Sequence, residues 1–233
     1  MIDSLDSVFP EIVPPDADFC SLRFVDERTE HICVRQDVLQ PVVNRDDFGA
    51  MITVVKGDGL GYAATSDLSR SGLAEAARQA ARWAERTAGR GVADPSTLPR
   101  PDGRGEYASE IAEPWNALSL SDKIDLLREQ SRRLKADDRI VDWSAQLAGV
   151  TSESLFLTST GGRLHQRFQY VIPHMAATAN EGTETQSRTL GGYGMGRQGG
   201  LEVLDAVDFR SAAPRLAEEA VQLLSAPDCP TGE

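Results

Sequence analysis

Apolar residues alternate with polar ones through the first patterned stretch of the chain. In DFCSLRFV (18–25), Phe19, Leu22, Phe24 and Val25 supply the apolar bulk, and in TEHICVRQ (29–36) Ile32 and Val34 share one face. Period-two spacing of this kind predicts strands half buried in a sheet. VLQPVV (38–43) extends the pattern, and Pro41 marks an edge or a bulge, because proline cannot donate to a ladder. Two further β-rich runs flank Lys56-Gly57-Asp58-Gly59, a hairpin signal, since glycine readily takes the positive φ of a tight turn. Residues 18–65 therefore read as a meander of antiparallel strands, led in by an arm or brief helix over residues 1–16.

The period then changes. Leu73, Ala76, Ala77, Ala80 and Ala84 recur at helical spacing and predict a helix over 69–88. Asp67 and Ser69 are candidate N-caps, and Gly89 and Gly91 stop the helix. Its stripe is nearly all alanine, which lets a helix lie close against a sheet. Residues 89–114 are rich in Gly, Pro, Asp and Ser and read as a linker between subdomains, because so long a loop is uncommon inside one domain. A second helix is predicted over 119–135, capped by Ser119 with Asp122 near the positive end of its dipole, and with Leu120, Ile124, Leu127 and Leu134 facing the core. Strands return over 139–200. Thr160-Gly161-Gly162-Arg163 is a hairpin turn, and Pro173 marks a bend or bulge in the run 164–179, which is long for one strand. A third helix follows over 211–225, with Leu216, Ala220, Leu223 and Leu224 inward and Pro214 near its start. Segregated strand runs and helices predict an α+β fold, with antiparallel or mixed sheets packed with helices. The expected organisation is two loosely similar subdomains, 1–90 and 116–233, joined by a linker over 91–115.

Composition narrows the function classes. The chain has 233 residues and a net charge of −12, and residues 1–60 hold 5 basic against 12 acidic side chains. Such a surface repels a phosphate backbone. The densest basic group (Arg128, Arg132, Arg133, Lys135) alternates with Asp125, Glu129, Asp137 and Asp138, as a solvated helix face does, so no nucleic-acid partner is expected. Cys20, Cys33 and Cys229 form no CxxC pair and are odd in number, which suits a reducing compartment. The first 15 residues lack the basic and apolar regions of a signal peptide, and no apolar run approaches the roughly 20 residues that span a bilayer. A cytoplasmic location without membrane contact is expected.

Candidate chemistry is sparse. His31, His165 and His174 sit in no HExxH or HExxxH pattern, and the odd separation of His165 and His174 places them on opposite faces of a regular strand. There is no GxSxG elbow and no Cys beside a His–Asp arrangement, so neither a catalytic nor a metal-ligating residue is expected in this chain. Gly57-Asp58-Gly59-Leu60-Gly61 looks like a phosphate loop but joins strand to strand, whereas phosphate loops open a helix. Gly191-Gly192-Tyr193-Gly194-Met195-Gly196, followed by Gly199-Gly200, reads as a mobile loop, or as a lid or peptide-contacting edge where glycine permits close backbone approach. Gly191, Gly192, Tyr193 and Gly194 are the candidate substrate-binding residues.

One stretch carries a resemblance. FGAMITVVKGDGLGYAATSDLSRSGLAEAARQAARWAE (48–85) resembles the signature region of the TldD/PmbA family. It has a strand ending at a glycine turn (Gly57 to Gly59), then Gly61-Tyr62-Ala63-Ala64-Thr65, then Asp67-Leu68-Ser69, then an alanine-rich helix from Leu73. The upstream strands fit the family's opening, although its leading helix is short or missing in Met1 to Pro15. SLFLTSTGGRLHQRFQYVIPHMAATANEG (154–182) is similar to the family's middle strands, and AEEAVQLLSAPDCPTGE (217–233) to the helix and exit before its catalytic half. The resemblance implies a zinc metallopeptidase that processes or degrades peptides, with an HExxxH motif and a distant Cys or similar ligand in a carboxy-terminal half that this sequence does not reach. The chain is then expected to be the non-catalytic amino-terminal half, shaping the chamber or substrate access. Zinc would lie in the missing half and no cofactor in this part, a peptide would be the substrate, and a family member would pair as homo- or heterodimer. The alternative is a non-enzymatic partner subunit or interaction protein of the same family, whose older label is modulator of DNA gyrase.

Overall fold

In chain order the elements are α1 (Ile2–Ile12), β1 (Phe19–Arg35), β2 (Val38–Leu39), β3 (Val43–Lys56), β4 (Gly59–Thr65), α2 (Arg70–Thr87), β5 (Arg104–Ala108), α3 (Leu120–Leu134), β6 (Ile140–Thr158), β7 (Arg163–Glu181), β8 (Glu184–Gly191), β9 (Arg197–Gln198), α4 (Val203–Ala206) and α5 (Ala213–Leu223). They come from a computed structural model that describes residues 2–92, 94–100 and 102–227, so Cys229 lies outside the described residues. The class is α+β.

Two compact units share these elements, and they do not follow chain order. One comprises Met1–Arg28, Asp46–Ala108 and Ser152–Phe168, and the other Thr29–Arg45, Ser109–Thr151 and Gln169–Glu233. β1, β3, β6 and β7 each contribute to both. β6 and β7 are 19 residues long, enough for one strand to serve two cores in succession. The glycine- and proline-rich stretch read as a linker contains β5, which pairs in parallel with β7 from Arg104↔Arg163 to Ala108↔Arg167.

The first unit has the strand order β4–β3–β1–β6–β7–β5. The β3–β4 hairpin turns at Gly57-Asp58, with Lys56 opposite Gly59. Cys20, Leu22 and Phe24 of β1, Ala50, Ile52 and Val54 of β3, and Leu155 and Leu157 of β6 are buried together with Leu5 and Phe9 of α1 and the Leu73–Ala84 stripe of α2. Ser69 caps α2 by accepting from the Gly72 N–H at 3.1 Å. A β-carbon on Gly61 would lie 2.0 Å from the Ala80 carbonyl oxygen, so the glycine is what allows the helix to rest on β4.

In the second unit β1, β6, β7 and β8 lie side by side, with β2 on β1 and β9 on β7. Ile32, Val34, Ala145, Leu147, Val171, Met175, Ala177 and Ala179 pack with Leu127 and Leu134 of α3 and Leu216, Ala217 and Ala220 of α5. Ser119 and Asp122 close a reciprocal capping box on α3. Leu120, expected in the core, is 40% exposed. The inner stripe of α3 instead includes Lys123, which is only 3% exposed. Its ammonium bonds Glu30 Oε2 and lies 4.1 Å from the centre of the Trp115 ring, and Trp115 Nε1 donates to that same oxygen at 2.8 Å. A buried lysine with charge and ring partners can thus occupy a position that a hydrophobic count assigns to leucine. In α5, Leu216 and Ala220 face the core as expected, whereas Leu224, just past the end of the helix, is only partly buried against it.

β7 runs unbroken past Pro173. The interruption falls on the neighbouring chain segment. Pairing of β7 with β8 ends at His174↔Gly191, and pairing with β9 resumes at Val171↔Arg197. Residues 192–196 bulge out where the proline offers no amide hydrogen.

Candidate functional site

The sheet of the second unit has two unlike faces. Its odd-numbered β7 positions, Val171, Met175, Ala177 and Ala179, are buried beneath the helices. The even-numbered positions, Tyr170, Ile172, His174, Ala176 and Thr178, are half buried on the other side. β1 and β6 behave alike: with Ile32, Val34, Ala145 and Leu147 inward, alternation turns His31, Cys33, Arg35, Asp142, Ser144 and Gln146 to that second face. This face is polar and internally bonded. His31 Nε2 lies 3.2 Å from Gln146 Oε1, and the Gln146 amide nitrogen donates to Ser144 Oγ at 3.3 Å. Arg35 makes a two-pronged pair with Asp142 at 2.9 and 2.8 Å, and the Arg35 guanidinium is the main force holding the Asp142 carboxyl below its usual range.

The Gly191–Gly196 excursion lies along this face. Gly191 has φ +82°, and a β-carbon there would sit 1.9 Å from the Pro173 carbonyl oxygen, so both its conformation and its space demand glycine. The Gly192 N–H donates to that carbonyl at 2.8 Å. A β-carbon on Gly192 would be 3.4 Å from His174 Nδ1, and one on Gly196 3.2 Å from Ile172 Cγ1. The loop therefore touches the two β7 side chains flanking Pro173. His174 Nδ1 is buried and has no hydrogen-bond partner among the described residues. Burial pushes the His174 pKa below its ordinary value, against a smaller opposing hydrogen bond to the Gly191 backbone, so the ring is neutral at neutral pH. The tip projects into solvent, with Tyr193 92% exposed.

Beyond the tip the loop is held firmly. Gly199 N–H donates to the Gln169 carbonyl at 3.0 Å, and the Gln169 amide nitrogen returns a bond to the Gly199 carbonyl at 3.2 Å. Ser109 Oγ donates to Gln198 Oε1 at 3.0 Å. The Glu202 carboxylate accepts from the backbone N–H groups of Gly200 at 2.7 Å, Glu113 at 2.9 Å and Ala112 at 3.3 Å. Desolvation pulls its pKa upward, and the backbone donors together outweigh that pull and hold it low. The base of the loop is thus tied by backbone and side-chain hydrogen bonds, and its aromatic tip is exposed.

Of the four residues proposed from sequence, Gly191 and Gly192 are thus placed against His174, while Tyr193 and Gly194 form the open tip. His165 belongs to the first unit and pairs with Glu153 at 2.8 Å. The sequence raised His174 only as a possible metal ligand and did not single out Gln169 or Glu202. Glu202 follows the Gly199-Gly200 pair by two residues, whereas His174 and Gln169 precede Gly191 by 17 and 22 residues, and no local pattern reveals their burial or backbone contacts. Chemically, the face offers amide, hydroxyl and imidazole groups suited to hydrogen-bonding an extended backbone. Burial pushes the Cys33 thiol up and carries Cys20 to about 12, so neither is a thiolate nucleophile at neutral pH. No group of three or more His, Cys, Asp or Glu side chains converges as a metal site among the described residues.

Comparison with known proteins adds context. Residues 20–84 match the family model described as PmbA/TldA metallopeptidase domain 1, and residues 113–226 match the PmbA/TldA metallopeptidase central domain. A protein named metalloprotease from Methanothermobacter thermautotrophicus is 26% identical over 230 residues, covering 99% of this chain and 48% of its own length. A candidate modulator of DNA gyrase from Thermotoga maritima superposes with a TM-score of 0.76 at 15% identity, over 100% of this chain and 50% of that one. TldE from Thermococcus kodakarensis superposes with a TM-score of 0.63 at 16% identity, over 96% of this chain and 47% of that one. These structural likenesses concern the fold, and the chain spans about half the length of the relatives it matches.

Proposed function

Because this chain belongs to the PmbA/TldD metallopeptidase family, we propose that it is the non-catalytic amino-terminal half of a peptide-processing zinc metallopeptidase. The observation that carries this reading is the match of both halves of the chain to that family's first and central domains, over about half the length of a metalloprotease-named relative. The zinc implied by the family has no fitting ligand set among the described residues, so no chemical step is assigned to them. Their part is to shape access. A hydroxyl- and amide-bearing sheet face can hold an extended peptide, and the Tyr193 tip on its anchored loop can lie against a passing side chain. The zinc ligands and the glutamate base would be carried by the remaining half, and a family member would complete the assembly as dimer partner. No helix among the described residues is long and apolar enough to cross a membrane. The unpaired thiols Cys20 and Cys33 agree with work in the cytoplasm.

Elemental analysis tests the division of labour. The 233-residue chain is expected to bind no stoichiometric zinc and to cleave no peptide, and the full-length protein to do both. Zinc bound one-to-one by the chain alone refutes it. In the full-length enzyme, Tyr193→Ala is expected to raise KM by about threefold and leave kcat unchanged, as loss of ground-state contact does. A full-length protein without zinc or peptidase activity would instead favour a partner-subunit role, for which the gyrase-modulator name of one structural neighbour is the supporting observation.

A further inference from the structure

β4 ends the strand order of the first unit, so one of its edges carries no further strand. Leu60 shows which backbone groups face that edge. Its N–H donates to Thr87 Oγ1 at 3.0 Å, and its carbonyl accepts from the same hydroxyl at 2.8 Å. In an antiparallel ladder the outward groups recur at every second residue, so the N–H and C=O of Tyr62 and Ala64 point the same way. Among the described residues they meet no partner. Edge strands are ordinarily blunted by lysine, proline or a bulge. Gly59–Thr65 (GLGYAAT) contains no charge and no proline, and only its Leu60 end is clamped.

The open edge adjoins a groove. Leu60, Gly61, Tyr62, Trp83 and Thr87 line a concavity of about 290 Å³ between β4 and α2. That is near the lower limit of ligand pockets, roughly 300–1,000 Å³, and suits a single large side chain. Tyr62 is 65% and Trp83 45% exposed. The Arg86 guanidinium lies 5.2 Å over the Trp83 ring. On the same helix Arg70, Arg78 and Arg82 all have carboxylate partners, whereas Arg86 has none among the described residues. Unpaired backbone donors and acceptors, an aromatic groove and a cation without a counterion thus meet at one strand–helix edge.

We propose that this edge binds an extended peptide segment that adds to β4 as a further strand, packs an apolar side chain against Tyr62 and Trp83, and presents a carboxylate to Arg86. The site lies in the other unit from the Gly191–Gly196 loop and does not depend on the role given to that loop.

Fluorescence anisotropy of the 233-residue chain with a labelled Thr-Val-Thr-Leu-Thr-Val-Glu peptide tests it. Saturable binding is expected. N-methylation of one alternate set of peptide amides is expected to abolish it and methylation of the other set to leave it intact, because only one set faces β4. Ala64→Pro removes an outward donor without touching the ladder and is expected to weaken binding by about tenfold. Tyr62→Lys tests the same edge should the proline variant fold poorly. Arg86→Gln is expected to cost about threefold for the Glu peptide and nothing for its Gln counterpart. Absence of saturable binding, or equal binding of both methylated peptides, overturns the proposal. So does light scattering that shows a dimer which Ala64→Pro converts to monomer, since a second copy would then occupy the edge.

Discussion

Replacing Gly61 by alanine probes the closest approach in the first unit. The added β-carbon would stand 2.0 Å from the Ala80 carbonyl oxygen, 2.4 Å from the Ala84 nitrogen and 2.7 Å from the Trp83 β-carbon. A carbon needs roughly 3.3 Å from a carbonyl oxygen, so α2 must retreat by on the order of 1 Å. The helix is poorly equipped for that retreat. Its buried stripe is Leu73 followed by Ala76, Ala77, Ala80, Ala81 and Ala84, and alanine has no side chain to reach across an opened gap. The two closest clashes are with main-chain atoms, so no side-chain truncation on α2 relieves them. Overpacking costs typically 1–3 kcal/mol, and a clash with helix backbone belongs at the upper end, about 3 kcal/mol. In a chain of this size that corresponds to a fall in Tm of roughly 6–12 °C. Thermal and urea unfolding followed by circular dichroism measures the loss, and Trp83 emission reports the local displacement. Gly194→Ala is the control, because nothing lies within 4 Å of its added carbon. It should stay within about 0.5 kcal/mol of the parent. Equal stability of the two variants, with unchanged Trp83 emission, would refute the account of how α2 is seated.

Other perturbations follow the same logic. Ser119→Ala removes one arm of the α3 capping box and should cost about 1 kcal/mol in urea unfolding, with a further loss of about the same size when Asp122→Ala is added, because the Asp122 carboxylate still accepts from the backbone N–H of position 119 after the first change. Lys123→Met leaves Glu30 with only the Trp115 donor and should cost about 3 kcal/mol; the Lys123→Met/Glu30→Gln double variant should be more stable than the sum of single losses, and strict additivity would deny the coupling. The folded-state pKa of His174 is depressed, so the unfolded chain takes up the proton first as pH falls through its ordinary value of 6.5. Its contribution therefore leaves stability untouched above that pH and lowers it progressively below. Titration of His174 by NMR, with unfolding midpoints from pH 8 to 5, checks the sign, and a His174 pKa above 6.5 in the folded protein contradicts it.

Local chemistry declared itself along the chain. The helices α2 and α3 were legible from apolar spacing and from Ser69 and Ser119 at their starts, because those signals act over a single turn. The β3–β4 hairpin was legible because Gly57-Asp58 bends the chain within a few residues. Alternation likewise picked out Ile32 and Val34 as inward, and the glycine cluster from Gly191 announced an irregular loop. The segregation of strands and helices was enough for the α+β class.

Which strands lie together, and which residues meet at the candidate site, was settled only by tertiary structure. β1 lies beside β6, with His31 and Gln146 in contact across 115 residues, and no local period encodes a partner at that distance. β5 pairs inside a stretch whose glycines and prolines look like linker, because pairing with β7 compensates for weak intrinsic preference. Leu120, expected inward, is exposed, and Lys123 is buried because Glu30 and Trp115, distant in sequence, satisfy its ammonium. Pro173 predicted an irregularity, but only the paired strands show that it falls on residues 192–196 and brings Gly192 against His174. Periodicity and caps are set by neighbours a few residues away, whereas burial and side-chain company depend on chain segments brought together from far along the sequence.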